Sequence, residues 1–425
     1  MILVMAVQCL TVSATEEEEV TATGPDWAMD MTTAPAVIAD SAILMDIDTG
    51  VILYEKNIHK RQYPASVTKL LTCLVAAEHS KMTDIVTFSH EAVFGIEKGS
   101  SSIGIDEGEQ LTMEQCYYAA LLDSANEVSS GMAEHVGGSI EGFAAMMNEK
   151  VRELGGADSN FVNANGLHDD NHYTSAYDMA LIGQAFARNE ELLKISGTAF
   201  YHIDPTPAQP DSIDLRNHHR MLPGCQYSDA RPYEYMLGGK NGFTSVAQLT
   251  LVTFAKKDGH RLVCVVLKDN KKPNHYTDTE ALFAYGFACY ENPSTVAQID
   301  AKVKELQAAE SEESEAAEEE NGILGEEDAP QELTLEEMDA RADSAGRRGN
   351  TETAGEKEKK EPEDGKAQEG KAGFSILTII VIAVVLAAFG VCGSIFYRYY
   401  RREQERRRRR AEIMARHRAR RDAEA

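Results

Sequence analysis

The chain has 425 residues, 42 Lys plus Arg against 69 Asp plus Glu, and a formal net charge of −27. So acidic a chain lacks the basic face that displaces counterions from a polynucleotide, which excludes a nucleic-acid binder. With 43% hydrophobic residues it holds enough apolar material for a core, which excludes wholesale disorder.

Residues 1–14 are mostly apolar and contain Val12-Ser13-Ala14, the small-x-small form of a signal-peptidase site. Lacking a basic n-region, they read as a shortened signal peptide. Residues 15–32 are acidic and threonine-rich and read as a disordered leader. Globular patterning then runs over residues 33–292. Apolar runs at 42–46 and 51–55, joined by Asp48-Thr49-Gly50, predict a β-hairpin. Asp-Thr-Gly also marks aspartic proteases, but a single copy in a turn that favours Asp and Gly reads as the turn. Residues 66–79 carry Leu70, Leu71, Leu74 and Val75 as a helical stripe. Thr112-Met113-Glu114-Gln115 is a capping box opening a helix to about Leu122. Further helices follow through Val136 and over residues 143–154 and 175–187. Runs at 249–254 and 262–267 flank Lys257-Asp258-Gly259 as a second hairpin, and a helix over 277–290 closes the region. Strands at both ends with helices between predict an α/β (α+β) fold. One antiparallel sheet is built from distant segments, with helices flanking it and a helical subdomain.

Residues 293–373 read as an acidic disordered linker, with helical tendency over 301–320. Its stretch 305–372 holds 23 acidic and 8 basic residues. Residues 374–397 carry no charge, and as a helix they reach about 36 Å, enough for a ~30 Å hydrocarbon core. They are expected to form one transmembrane helix. Residues 398–425 carry 12 Arg against 5 acidic residues. The positive-inside rule places this tail in the cytoplasm and the acidic bulk outside. Its Arg406–Arg410 run is expected to meet anionic lipid headgroups. Of seven cysteines, Cys9 falls in the signal and Cys392 in the span. Cys73, Cys116, Cys225, Cys264 and Cys289 form no CxxC and read as small buried hydrophobes rather than disulfide partners or zinc ligands.

Three short motifs carry chemistry. In Ser66-Val67-Thr68-Lys69 the i, i+3 spacing on a helix puts the lysine within reach of the serine hydroxyl. A lysine desolvated in a cleft loses enough basicity to take that proton. Ser124-Ala125-Asn126 follows between two helices. Lys240-Asn241-Gly242-Phe243-Thr244 precedes the second hairpin, with Gly242 permitting close approach of a ligand backbone. His168 and His172 sit at i, i+4, but Asp169-Asp170-Asn171 between them marks a loop rather than a metal pair. His218-His219-Arg220 reads as a polar segment near the cleft, with Arg220 able to attract a carboxylate.

In that order, the three motifs form the signature of penicillin-interacting serine enzymes. Residues 35–292 resemble the low-molecular-mass penicillin-binding proteins, the serine-type D-alanyl-D-alanine carboxypeptidases. Further stretches carry the resemblance: Tyr63-Pro64-Ala65 before Ser66, Ala133-Glu134-His135-Val136, Met147-Asn148-Glu149-Lys150 and Phe161-Val162-Asn163-Ala164-Asn165-Gly166-Leu167. The resemblance implies a penicillin-binding-protein/β-lactamase-like transpeptidase fold for residues 33–292 and the removal of the terminal D-alanine from peptidoglycan stem pentapeptides. It implies catalytic roles for Ser66, Lys69 and Ser124, and substrate binding by Asn126, Lys240, Asn241, Gly242, Phe243 and Thr244. Backbone N–H groups of Ser66 and Phe243 would form the oxyanion hole. It further implies β-lactams as covalent inhibitors and no metal or organic cofactor. Two features depart from the family. Position 241 is Asn where the pattern is Lys-Thr-Gly, and an acidic linker with a membrane span replaces the usual β-rich domain and amphipathic anchor. Two alternatives stand beside this reading. A class A-like β-lactamase would need a Glu-x-x-Leu-Asn stretch, and none lies between Asn126 and Lys240. A catalytically weak cell-wall binding or regulatory protein would accommodate Asn241.

Overall fold

The computed structural model describes residues 34–324. The signal, the leader, the uncharged run at 374–397 and the basic tail lie outside the described residues. Among the described residues no helix is long and apolar enough to cross a membrane.

The first hairpin forms as expected. Strand β1 (Ser41–Asp46) pairs antiparallel with β2 (Ile52–Lys56). Its turn is organised by Asp46, whose Oδ1 accepts the backbone N–H groups of Asp48 and Thr49. This local capping is what the Asp and Thr of the turn supply. Next comes a single 3₁₀ turn, Ala65–Val67, running directly into α1 (Thr68–His79). Every residue from Thr68 to Ala76 is buried, so α1 is a central helix with no solvent stripe over its first two turns.

Helices α2 (His90–Phe94), α3 (Met113–Leu122), α4 (Asn126–Gly137) and α5 (Ile140–Glu153) follow, then α6 (Ala176–Arg188) and α7 (Glu190–Ser196). The capping box of α3 is present, with Thr112 Oγ1 accepting from Gln115 N and Gln115 Oε1 accepting from Thr112 N. Such caps are worth about 1 kcal/mol. Two short ribbons, β3 (Ile85–Thr87) with β4 (Gln110–Thr112) and β5 (Phe200–Ile203) with β6 (Ile213–Arg216), were not anticipated. Runs of three or four residues are too short for alternation to register.

Strands β7 (Met236–Thr244), β8 (Gln248–Lys257) and β9 (His260–Asp269) complete a five-stranded sheet of order β2-β1-β9-β8-β7. Chain segments some 200 residues apart thus meet where β1 pairs β9, Leu44 opposite Cys264. Helix α8 (Asn274–Glu291) and helix α6 cover opposite faces. Gly286 of α8 lies against Leu44 and Leu262, whereas Gly183 of α6 lies against Val263 and Phe254. Leu262 and Val263 are neighbours on one strand and so point to opposite sides.

Where the linker reading begins, residues Pro293–Leu324 form a helix, α9. Its Ala, Glu, Gln, Lys and Leu are strong helix formers, and Pro293 opens it at a position where the missing N–H costs little. Cys73, Cys116, Cys264 and Cys289 are buried and free, and Cys225 is half-buried and free.

Candidate active site

The three motifs converge on one cleft of about 1460 Å³, whose lining includes Ser66, Ser124, Asn126 and the run from Lys240 to Thr244. Lys69 stands behind this lining, fully buried.

Ser66 occupies the 3₁₀ turn, a half-buried position that opens to the cleft. The preceding Ala65 has φ of +51°, a left-handed conformation that costs an alanine on the order of 1–3 kcal/mol. Surrounding contacts hold it there. Thr250 Oγ1 on β8 donates to the Pro64 carbonyl at 2.8 Å. Gly166 packs its α-carbon on the Ala65 carbonyl, where any side chain would collide. The β7 strand closes in from another direction. A Cβ on Gly242 would stand 2.8 Å from the Ser66 backbone nitrogen. The sequence predicts a ligand backbone at Gly242; in the structure it is the turn carrying Ser66 that comes this close.

Lys69 Nζ lies 3.2 Å from Ser66 Oγ and donates to Asn126 Oδ1 (2.7 Å) and to the Asn165 carbonyl (2.5 Å). Burial, reinforced by the nearby Lys240 charge, holds this amine well below its usual range. A neutral amine has two N–H bonds and one lone pair. In that form Asn126 and Asn165 would take the two N–H bonds, leaving the lone pair for the serine hydroxyl. The acceptor role of Asn165 was not foreseen, because a backbone carbonyl 96 residues away leaves no side-chain signature.

Ser124 adopts φ of +60°, and its buried Oγ has no hydrogen-bond partner among the described residues. Lys240 is fully buried, and burial pushes its amine down to about 8. Among the described residues its Nζ bonds the Asn241 carbonyl alone, at 3.1 Å. Among the described residues β7 is an edge strand, so one row of its N–H and C=O groups is free of strand pairing. Phe243 is 65% exposed at its rim.

His172 and His219 are struts, whereas His168 lines the cleft beside Tyr63. His172 Nδ1 accepts from Val162 N (3.2 Å), so Nε2 carries the proton and donates to Thr68 Oγ1 (2.9 Å). Burial holds His172 down to about 3, hence neutral. His219, also lowered to about 3 by burial, bonds Thr253 Oγ1 through Nε2 (2.9 Å) and so braces β8. His218 and Arg220 line the cleft as expected. The Arg220 guanidinium lies over the Tyr227 ring at 3.5 Å and pairs with Asp229 (2.6 Å). Among the described residues no group of three His, Cys, Asp or Glu side chains is placed to hold a metal ion.

The model of the D-alanyl-D-alanine carboxypeptidase family, peptidase family S11, matches residues 28–271. The chain belongs to this family. It is 32% identical over 275 residues to the D-alanyl-D-alanine carboxypeptidase DacF of Bacillus subtilis, a match spanning 62% of this chain and 67% of DacF. It is 30% identical over 271 residues to DacA of Haemophilus influenzae, spanning 62% of this chain and 65% of that protein. The crystal structure of D-alanyl-D-alanine carboxypeptidase from Mycobacterium tuberculosis H37Rv superposes with a TM-score of 0.54 at 26% identity. That likeness covers 61% of this chain and 94% of the other.

Proposed function

We propose that the chain is a membrane-anchored serine D-alanyl-D-alanine carboxypeptidase that removes the terminal D-alanine from peptidoglycan stem pentapeptides through an acyl-enzyme. The observation that carries this reading is the Lys69 amine. Burial holds it well below its usual range, Asn126 Oδ1 and the Asn165 carbonyl accept two of its hydrogens, and Ser66 Oγ lies 3.2 Å from its nitrogen. Ser66 Oγ attacks the carbonyl between the two D-alanines and passes its proton to Lys69. The resulting oxyanion sits between the backbone N–H groups of Ser66 and Phe243, a reading supported by the close packing of Gly242, the neighbour of Phe243, on the Ser66 nitrogen. As the C–N bond breaks, the leaving D-alanine nitrogen receives a proton through Ser124 and Lys240. Water then attacks the ester and frees Ser66. A β-lactam presents a strained amide to the same serine and stays attached as an ester. Asn126 keeps its amide N–H₂ for the substrate, since only its oxygen is used by Lys69. The uncharged run at 374–397 followed by the Arg-rich tail supports anchoring with the catalytic domain outside the cytoplasm.

The test is D-alanine release from a stem pentapeptide, run beside labelling by a fluorescent penicillin. Release with labelling is the expected result. Labelling without release favours a cell-wall binding protein, and rapid turnover of the penicillin itself favours a β-lactamase.

A further inference from the structure

One residue past Asn126 stands a carboxylate that the reaction above leaves unused. Glu127 is 0% exposed, in the first turn of α4. Its Oε1 accepts from Ser102 Oγ (2.6 Å), Ile103 N (2.7 Å) and Gly104 N (3.1 Å). Ser102 Oγ accepts in turn from Gly104 N at 3.1 Å, and Asn126 N donates to the Ser101 carbonyl at 3.0 Å. Residues 101–104 thus fasten to the start of α4 at every position. Ser101, Ile103 and Gly104 line the cleft, although this stretch belongs to no helix or strand.

The other side of the Ser-x-Asn motif is built alike. Asp123 Oδ2 accepts from Arg216 N (3.1 Å), and its Oδ1 lies 3.3 Å from His218 Nε2. Arg216 and His218 line a second part of the cleft. The segment Asp123-Ser124-Ala125-Asn126-Glu127 therefore addresses two cleft walls with its flanking carboxylates and the reaction with its middle. Burying a carboxylate is costly, and desolvation raises the Glu127 carboxyl accordingly. The donors that offset this cost come from the wall.

We propose that Glu127 is a positioning residue for the carboxypeptidase reaction. By gathering the N–H and O–H groups of residues 102–104 onto the first turn of α4, it fixes that wall relative to Ser124 and Asn126. It thereby sets substrate binding rather than the bond-breaking step. The inference rests on the function proposed above.

The experiment compares Glu127→Ala, Glu127→Gln and Ser102→Ala in the full-length chain. D-alanine release from the pentapeptide gives KM and kcat, and fluorescent penicillin counts the acylatable sites. Glu127→Ala is expected to raise KM about 10-fold, with kcat per acylatable site within about 3-fold of wild type. Glu127→Gln keeps a carbonyl oxygen in the acceptor position and is expected to return KM to within about 3-fold. Ser102→Ala removes one donor without opening the core and is expected to raise KM by about 2–3-fold. It decides the matter if Glu127→Ala does not fold. An unchanged KM in Glu127→Ala, or in Ser102→Ala where the former is unfolded, overturns the proposal. So does a loss of kcat per site at constant KM, or a Gln variant as impaired as the Ala variant. Wild-type protein that releases no D-alanine defeats the functional reading instead. The concentration dependence of penicillin acylation then takes the place of KM, with the same opposing outcomes.

Discussion

The two sides of the cleft are finished to different degrees. Around Ser66 the bonds are complete. Lys69 has its three neighbours, Thr250 ties the serine turn to β8, and His172 braces Thr68. Along β7 they are not. Lys240 reaches only the carbonyl of Asn241, and neither Ser124 Oγ nor the Asn241 side chain has a hydrogen-bond partner among the described residues. Phe243 stands largely in solvent. A nucleophile gains most when its surroundings need no reorganisation as charge develops. A binding edge gains when the substrate completes polar groups that are otherwise unpaired. The bond-making half is therefore preorganised, and the binding half is left for the substrate to finish.

The comparison breaks most sharply at the finished side. Ser66→Ala should abolish labelling by fluorescent penicillin, and Lys69→Met should slow acylation about 10³-fold or more. Labelling that persists in Ser66→Ala would mean that another residue is the nucleophile. The next largest effect lies where the sides touch. Gly242→Ala drives a methyl toward the Ser66 nitrogen and into Thr250 Oγ1. It should cost about 10²-fold in acylation rate, read by stopped-flow penicillin binding, with melting changed by only a few degrees.

A third effect is the charge passing between the sides. In the proposed mechanism Lys69 works as a neutral base, so kcat/KM should fall as acid protonates it. In the same proposal Lys240 works as a proton donor, so an alkaline limb is expected near its lowered value of about 8. The Lys240 charge also helps hold Lys69 down. Lys240→Gln should therefore move the acid limb toward higher pH, and a limb that stays put or moves the other way would uncouple the two amines. The smallest effect belongs to the unfinished side. Asn241→Thr restores a hydroxyl there and should lower the pentapeptide KM about 3-fold at unchanged kcat, whereas a raised KM would show that the amide is already well placed.

Much of this was legible before any coordinates. The Ser66–Lys69 spacing, the Thr112–Gln115 cap, the β1–β2 and β8–β9 hairpins and the helix after them follow from local rules. What escaped was decided at long range. That Lys69 would be wholly buried depends on helices and loops packed around α1. The Asn165 carbonyl and the His172 strut reach Lys69 and Thr68 from about 100 residues downstream. Glu127 looks like an ordinary first-turn acid, favourable to any helix dipole. Only folding shows that it faces inward to the loop at 102–104. Within residues 293–324 the helical tendency expected over 301–320 is present, and the helix begins earlier, at Pro293, because strong helix formers fill the segment despite its low apolar content.

Cys73 lies one turn beyond Lys69 on α1, 0% exposed, with its thiol pushed up to about 12 by burial. Alkylation requires a thiolate in contact with reagent, so this sulfur reacts only while α1 is out of the core. Its alkylation rate is thus a native clock for the opening of the nucleophile side. An acyl group on Ser66 that bridges the serine turn and β7 should make that clock run slow.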